Sequence, residues 1–254
     1  MITKQRIKLI HSLELKKNRD TQNLFIGEGT KTVCSLIHHF ACEYIAATAE
    51  WITDNLQQLP KSINIDTISS EDLKKASLQK TPQGIIAIFK KKQEQHFAYD
   101  QISNNLCLAL DSIQDPGNLG TIIRIANWFG IKKIICSDTT ADIYSPKVIQ
   151  ATMGAIAGID IYYTDLSQFL SKTPANIPIY GTFLEGDNIF HSQLSTNGII
   201  VMGNEGNGIS TQVASHITKK LFIPPYHTDS STTESLNVGV ATAITCAEFR
   251  RRLL

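Results

Sequence analysis

The chain has little that would tie it to a membrane, a metal ion or an oxidising compartment. Among its 254 residues no apolar run approaches the roughly 18 residues of a bilayer span. The opening MITKQRIKLIHSLELKKNRD has no apolar core of signal-peptide length. The five cysteines (Cys34, Cys42, Cys107, Cys136 and Cys246) are odd in number, scattered and without C-x-x-C spacing. That argues against a disulfide framework or zinc ribbon and predicts reduced thiols in a cytoplasmic protein. The seven histidines form no H-x-x-x-H pair, and the adjacent His38 and His39 would point in different directions. No metal site and no membrane partner are expected. No low-complexity stretch is present, and 42% hydrophobic with 19% charged residues is the composition of a soluble globular chain of one large or two ordinary domains.

Charge of one sign is also lacking overall, since the net value is +1, but its distribution is uneven. Residues 1–100 carry 14 Lys and Arg against 11 Asp and Glu; residues 101–254 carry 10 against 12. Within the first 19 residues, Lys4, Arg6, Lys8, Lys16, Lys17 and Arg19 face Glu14 alone. A basic arm on a near-neutral body suits capture of a polyanion such as RNA; a solvated helix face would give the same pattern.

Along the chain, apolar runs and turn signals alternate. Strands are expected at 24–29, 43–48, 62–69 and 84–89, with helices over 30–40 and 49–59 and a helix capped by Ser69. This predicts a small α/β domain over 1–92, followed by a polar linker over 93–104. A second domain, 105–254, has strands expected at 105–113, 132–137, 177–183, 198–203 and 221–225. Helices are expected over 121–129 and 145–158, the latter with Ser145 as cap and Pro146 at its first position, and over 233–252. Strands alternating with helices imply a parallel sheet whose ligand crevice lies at the carboxyl ends of the strands.

Three loops fall at such ends: DPGNLG, GNEGNG and PPYHTDSSTTESLN. The middle one closes IIVMGNEGNGIS (199–210), an apolar run breaking into three glycines set around Asn204, Glu205 and Asn207. Its G-x-x-G-x-G order is neither the dinucleotide fingerprint G-x-G-x-x-G nor a P-loop. Taken alone it is ordinary turn chemistry. Three polar loops converging on one end of a sheet make it a candidate site.

In order and spacing, LALDSIQDPGNLGTIIRIANWFG, IIVMGNEGNGIS and LFIPP…ESLNVGVATAI resemble the three motifs of the SpoU (TrmH) family of RNA ribose methyltransferases, within the SPOUT superfamily. FIGEGTKTV is similar to the start of that family's ribosomal-protein-like accessory domain. The resemblance implies a trefoil-knotted, parallel-sheet α/β methyltransferase domain behind a smaller N-terminal α/β RNA-binding domain. It also implies a homodimer, S-adenosylmethionine as cofactor, and methylation of a ribose 2′-hydroxyl, in ribosomal RNA (23S) or alternatively transfer RNA. Carried over by motif, Arg124, Asn118, Glu205, Ser235 and Asn237 take the functional positions. Gly203, Ile223 and Leu236, with Met202, Asn204 and Pro224, take the cofactor positions. On this reading Arg124 serves the 2′-hydroxyl, and Glu205 orders its loop and orients Arg124 or a dimer-related arginine. Gly239 stands where the family usually has serine, and the loop 226–234 is longer than expected. A non-catalytic RNA-binding protein on the same fold, or a nicotinamide-dependent oxidoreductase lacking its usual fingerprint, are the competing classes.

Overall fold

The computed structural model describes residues 2–60, 63–93, 97–226 and 235–251. The N-terminal elements are α1 (Lys4–Ser12), α2 (Lys16–Gln22), β1 (Leu24–Glu28), α3 (Thr30–Leu36), β2 (Cys42–Thr48), α4 (Ala49–Asn55), β3 (Asp66–Ile68), α5 (Ser70–Ala76) and β4 (Ile85–Lys90). The four strands order as β1-β4-β2-β3, with β4 antiparallel to both neighbours and β3 parallel to β2. Helix starts follow their caps: Thr3, Thr48 and Ser69 each accept a backbone N–H of the first turn. Of the strand expected over 62–69, Ser62 lies outside the described residues, and among the described ones Asp66–Ile68 pair with Ala46–Thr48 at the sheet edge. The helix expected over 30–40 ends at Leu36, whose carbonyl accepts from both His39 and Phe40 in a tight turn.

The remaining elements are β5 (Leu106–Leu110), α6 (Pro116–Trp128), β6 (Lys133–Ser137), α7 (Pro146–Thr152), β7 (Asp160–Thr164), α8 (Leu166–Ser171), β8 (Ile179–Phe183), β9 (Asp187–Asn188), β10 (Gly198–Met202), α9 (Thr211–Ala214), β11 (Lys219–Phe222) and α10 (Val238–Arg251). Seven parallel strands order as β7-β6-β5-β10-β8-β11-β9. The central β5 and β10 are buried at every position, which is why they read as unbroken apolar runs. The sequence pattern did not signal β7, α8, β9 or α9, all of six residues or fewer. The segment read as a linker carries Phe97 and Tyr99, which pack against Tyr162 and Phe169.

The chain forms two units, Met1–Gln93 with Asp142–Gly158, and Glu94–Ala141 with Ile159–Leu254. In the first, α7 lies against β1 and α3, and a Cβ on Gly154 would come within 2.6 Å of Ser35. The stretch expected as one helix over 145–158 breaks after Thr152, because Met153 and Gly154 both take positive φ. Tyr144 packs among Phe25 and Phe40. Beside it, Arg19 is only 2% exposed. Its Nε and Nη2 donate to Asp142 Oδ2 at 3.0 and 2.6 Å, and Nη1 donates to the carbonyls of Leu13 and Glu14. Arg19 is therefore a structural centre of this unit and not part of an exposed basic arm. Among the described residues no helix is long and apolar enough to cross a membrane.

Candidate functional site

Three chain segments leave neighbouring strands of the parallel sheet at one level. β8 pairs with β10 through Gly181 and Val201, and with β11 through Phe183 and Phe222. Leu184, Gly203 and Ile223 therefore follow side by side. On the other flank of β10, Met202 pairs with Leu110, and Asp111 N extends that ladder to Met202 O at 2.9 Å. Ligands bind parallel sheets at these carboxyl ends.

The glycine loop over 203–210 is fastened at both ends. Asn204 and Gly208 exchange two backbone hydrogen bonds of 2.9 Å, with Gly208 at φ +68. A Cβ on Gly203 would overlap the backbone of Gly208 and Ile209, so the loop's own packing demands glycine there. At the far end Ser210 N donates to Asp111 Oδ2 at 2.8 Å. Asp111 itself is 4% exposed.

The first motif does not stay a loop. Asp115 caps α6 by accepting from Asn118 N at 2.7 Å, and Pro116 occupies the first helical position, where its missing N–H costs nothing. DPGNLG is thus mostly the first turn of a helix, with Asn118 projecting from it. The last helix begins at Val238, later than expected, because Asn237 Oδ1 caps it from Gly239 N and Val240 N at 2.9 and 3.3 Å. Residues 233 and 234, and most of the long loop 226–234, lie outside the described residues. Glycine at 239 fits this start: a Cβ would press Thr121 and Asn237 at 3.1 and 3.2 Å, where α10 packs on α6.

These three ends are joined by side chains. Asn237 Nδ2 donates to Asn118 Oδ1 at 2.9 Å, and Asn118 Nδ2 donates to Glu205 Oε1 at 2.9 Å. Asn204 Nδ2 reaches Glu205 Oε2 at 3.4 Å. The Asn237 and Asn118 amides both donate away from the amino end of α10 and toward Glu205, in the sense in which the helix dipole polarises them. Glu205 keeps lone pairs free to accept from a hydroxyl or a guanidinium.

Of the expected functional residues, the fold brings together Asn118, Glu205 and Asn237. Arg124 is not among them. It lies on α6 roughly 240° around the helix axis from Asn118, is exposed, and has no hydrogen-bond or ion-pair partner among the described residues. Glu205 thus meets two asparagines where an arginine was expected. Ser235 is exposed.

Among the expected cofactor residues, Met202 has a buried side chain with its sulfur 3.7 Å from Thr182 Oγ1, so only its backbone can face a ligand. Ile223 and Pro224 are half-buried. Leu236 is 47% exposed, and Leu184, which sequence reasoning missed, is 65% exposed. Apolar side chains standing exposed beside backbone at adjacent strand ends suit a heterocycle with a polar tail.

Sequence reasoning also missed Asp111 and Ser112. A carboxylate closing the apolar run LCLAL was the available signal for Asp111. For Ser112 there was none: it sits at φ +60, which serine rarely adopts.

The chain matches the model of the SpoU rRNA methylase family over residues 105–247, and that of an MRM3-like substrate binding domain over residues 4–87. It is 28% identical to the Bacillus subtilis 23S rRNA (guanosine(2553)-2′-O)-methyltransferase RlmP, over 97% of this chain and 96% of that one. Among solved structures it is similar to an RNA methyltransferase of the TrmH family from Porphyromonas gingivalis, with TM-score 0.87 and 37% identity over 99% of both chains. It is also similar to an AdoMet-bound rRNA methyltransferase from Sinorhizobium meliloti, with TM-score 0.83, 26% identity and coverage of 100% of this chain and 97% of that one.

Proposed function

The chain belongs to the SpoU rRNA methylase family, and on that premise we propose that it methylates a ribose 2′-hydroxyl of 23S ribosomal RNA, with S-adenosylmethionine as donor, as a cytoplasmic homodimer. The observation that carries this reading is the Asn237–Asn118–Glu205 ladder, which ties one side chain from each of the three strand-end motifs into one array. The relative from Bacillus subtilis acts on 23S rRNA by name, and the solved relative from Sinorhizobium meliloti binds AdoMet.

When bound, the cofactor supplies a methyl group already activated by its sulfonium. The chain's own residues have to align the hydroxyl and deal with its proton. Backbone at Gly203, Ile223 and Leu236, with Met202 and Pro224 beside them, would hold the cofactor, and the exposed Leu184 and Leu236 would offer it apolar contact. Asn118 and Glu205 orient the ribose edge. Ser235 and Asn237 border the same opening, and Asn237 fixes the start of α10. Arg124 has a guanidinium whose pKa above about 12 makes it a poor base. It would bind an RNA phosphate and stabilise the developing alkoxide, with the phosphate relaying the hydroxyl proton to water.

Trp128, 85% exposed, and Val240 stand out on α6 and α10. A second copy covering this face would shelter both and bring a partner arginine to the ladder. The trefoil knot belongs to the same reading. The N-terminal unit captures the RNA.

Mapping 2′-O-methyl sites in ribosomal RNA from cells with and without the gene tests the proposal. One missing large-subunit site is expected, and no difference in ribosomal or transfer RNA would refute it. Calorimetry should register S-adenosylhomocysteine and not NAD. For Arg124, single-turnover rates of Arg124→Lys across pH are decisive: a variant keeping most of the wild-type rate would rule out a role for the planar fork.

A further inference from the structure

The Asn204 side chain has no hydrogen-bonding capacity left for a ligand. A carboxamide offers two N–H donors and two lone pairs on its oxygen. Nδ2 donates to Ser112 O at 2.7 Å and to Glu205 Oε2 at 3.4 Å. Oδ1 accepts from Gly206 N at 2.9 Å and from Asn207 N at 3.0 Å. The backbone N–H and carbonyl are both engaged with Gly208. Two amides facing Oδ1 also settle which way the carboxamide is turned.

Its anchor is unusual. Ser112 holds φ +60, a left-handed conformation that a residue with a Cβ adopts only under strain. It is held there by Ser137 Oγ, which accepts Ser112 N at 2.9 Å, and by Thr139 Oγ1, 2.7 Å from Ser112 Oγ. Ser137 is in turn 3.0 Å from Thr140 Oγ1, which donates to Leu110 O. A strained residue braced by three hydroxyls presents its carbonyl to the amide that faces Glu205. From this we infer that Asn204 is a positioning residue that sets the carboxylate of Glu205 against Asn118 and the ribose, in place of the cofactor contact expected from the family motif. The inference rests on the methyltransferase reading above. The 3.4 Å contact is long, as hydrogen bonds around a reacting centre often are before the substrate is in place.

The discriminating variant is Asn204→Asp. It keeps the volume and the acceptor that caps Gly206 and Asn207, but turns a carboxylate oxygen toward Ser112 O and Glu205. With unmodified large-subunit rRNA transcribed in vitro, single-turnover methyl transfer at saturating cofactor should fall about 100-fold, the penalty of a misplaced group. The Kd for S-adenosylhomocysteine should stay within about threefold of wild type, since no cofactor bond is lost. In Asn204→Asp/Glu205→Gln the new carboxylate meets an amide, and the double variant should be no slower than Glu205→Gln alone. A weakened S-adenosylhomocysteine affinity with near-normal turnover would make Asn204 a cofactor ligand and overturn the inference. Unchanged turnover and affinity would reduce Asn204 to a turn cap and overturn it equally. If the wild-type chain transfers no methyl to this RNA, the functional proposal has failed and not the positioning. The coupling is then read in urea unfolding, where additive effects of Asn204→Asp and Glu205→Gln would overturn it.

Discussion

Arg19 offers the sharpest test of how the N-terminal unit holds together. Its charge groups it with the exposed Lys16 and Lys17 beside it, whereas its surroundings make it structural. The guanidinium is 2% exposed and spends four N–H donors on three acceptors, with Asp142 taking two of them. The Asp142 side chain is 13% exposed, so neither partner has water to fall back on. Asp142→Ala would leave Nε and one Nη2 donor of a buried cation unmatched. Breaking one side of such a pair costs about 3–5 kcal/mol. At roughly 4 °C per kcal/mol for a unit of this size, the melting transition that includes the N-terminal unit should fall by roughly 10–20 °C. Arg19→Met should cost a comparable amount by stranding the carboxylate. The double variant Arg19→Met/Asp142→Leu should recover part of the loss, because an apolar pair of similar volume has no charge to desolvate, while the Leu13 and Glu14 carbonyls still lose their donor. Differential scanning calorimetry reads the transitions, and RNA titrations at several salt concentrations read the phosphate contacts. The salt slope of RNA binding should be unchanged in the double variant, whereas each lysine that contacts phosphate lowers it by roughly 0.7–0.9 when removed. A melting shift of less than about 2 °C in Asp142→Ala, together with a reduced RNA salt slope in Arg19→Met, would refute the structural reading.

Two further expectations concern titration. Glu28 is buried, and that burial raises its carboxyl above the ordinary 4.5 even though Ser77 Oγ and Leu78 N donate to it. The folded chain therefore keeps this proton to a higher pH than the unfolded chain. The stabilisation is fully present below 4.5 and is lost as pH rises through the folded value. Urea midpoints across that window should slope downward with pH in wild type and lose that component in Glu28→Gln; a slope that persists would place its origin elsewhere. For the thiols, burial pushes Cys107 and Cys246 up to about 12 and Cys136 higher still, while Cys34 and Cys42 are half-buried and raised less. A disulfide reagent at pH 8 should modify Cys34 and Cys42 alone in the native chain and all five in urea. Rapid native labelling of Cys107 would contradict the packing of β5.

The parallel sheet was legible because its central strands are buried on both faces. LCLAL and GIIVM have no polar position to blur them, and each ends in a turn former that marks the ligand side. Short elements at the sheet's margins, such as β7 with its mixed exposure or the two-residue β9, carry no such periodicity. They are strands because a neighbour pairs with them. The same limit applied to the site. Its loops could be located from glycine and proline, but asparagine in a loop reads as a turn former whatever it does. Asp115 illustrates this: it read as a loop residue and turns out to cap a helix, while Asn237, expected inside the last helix, caps its start. Nor can charge alone say which of Lys16, Lys17 and Arg19 faces inward. That depends on Asp142, more than a hundred residues away.

The side-chain ladder raises the question of what it contributes, and magnitudes decide it. Asn237 and Glu205 are exposed and Asn118 is half-buried, so the neutral bond between the asparagines is worth about 0.5–1.5 kcal/mol net and the one to the Glu205 carboxylate about 1.5–3 kcal/mol. Ordering the backbone of a single loop residue costs about 1–2 kcal/mol. Two such bonds, Asn237 to Asn118 and Asn118 to Glu205, cannot hold three loops in place. The loops are held instead by groups that the ladder does not include: buried Asp111 on Ser210, the overlap that forbids any side chain at Gly203, and the caps at Asp115 and Asn237. With the loops already fixed, the ladder is free to set direction. It turns both oxygens of Glu205 toward amides of known orientation and leaves its outer lone pairs aimed at whatever enters the opening. That division explains why the site's most polar residues are also among its most exposed. Stability is drawn from the buried clamps beneath, and the exposed amides can be tuned to a ribose without loosening the fold.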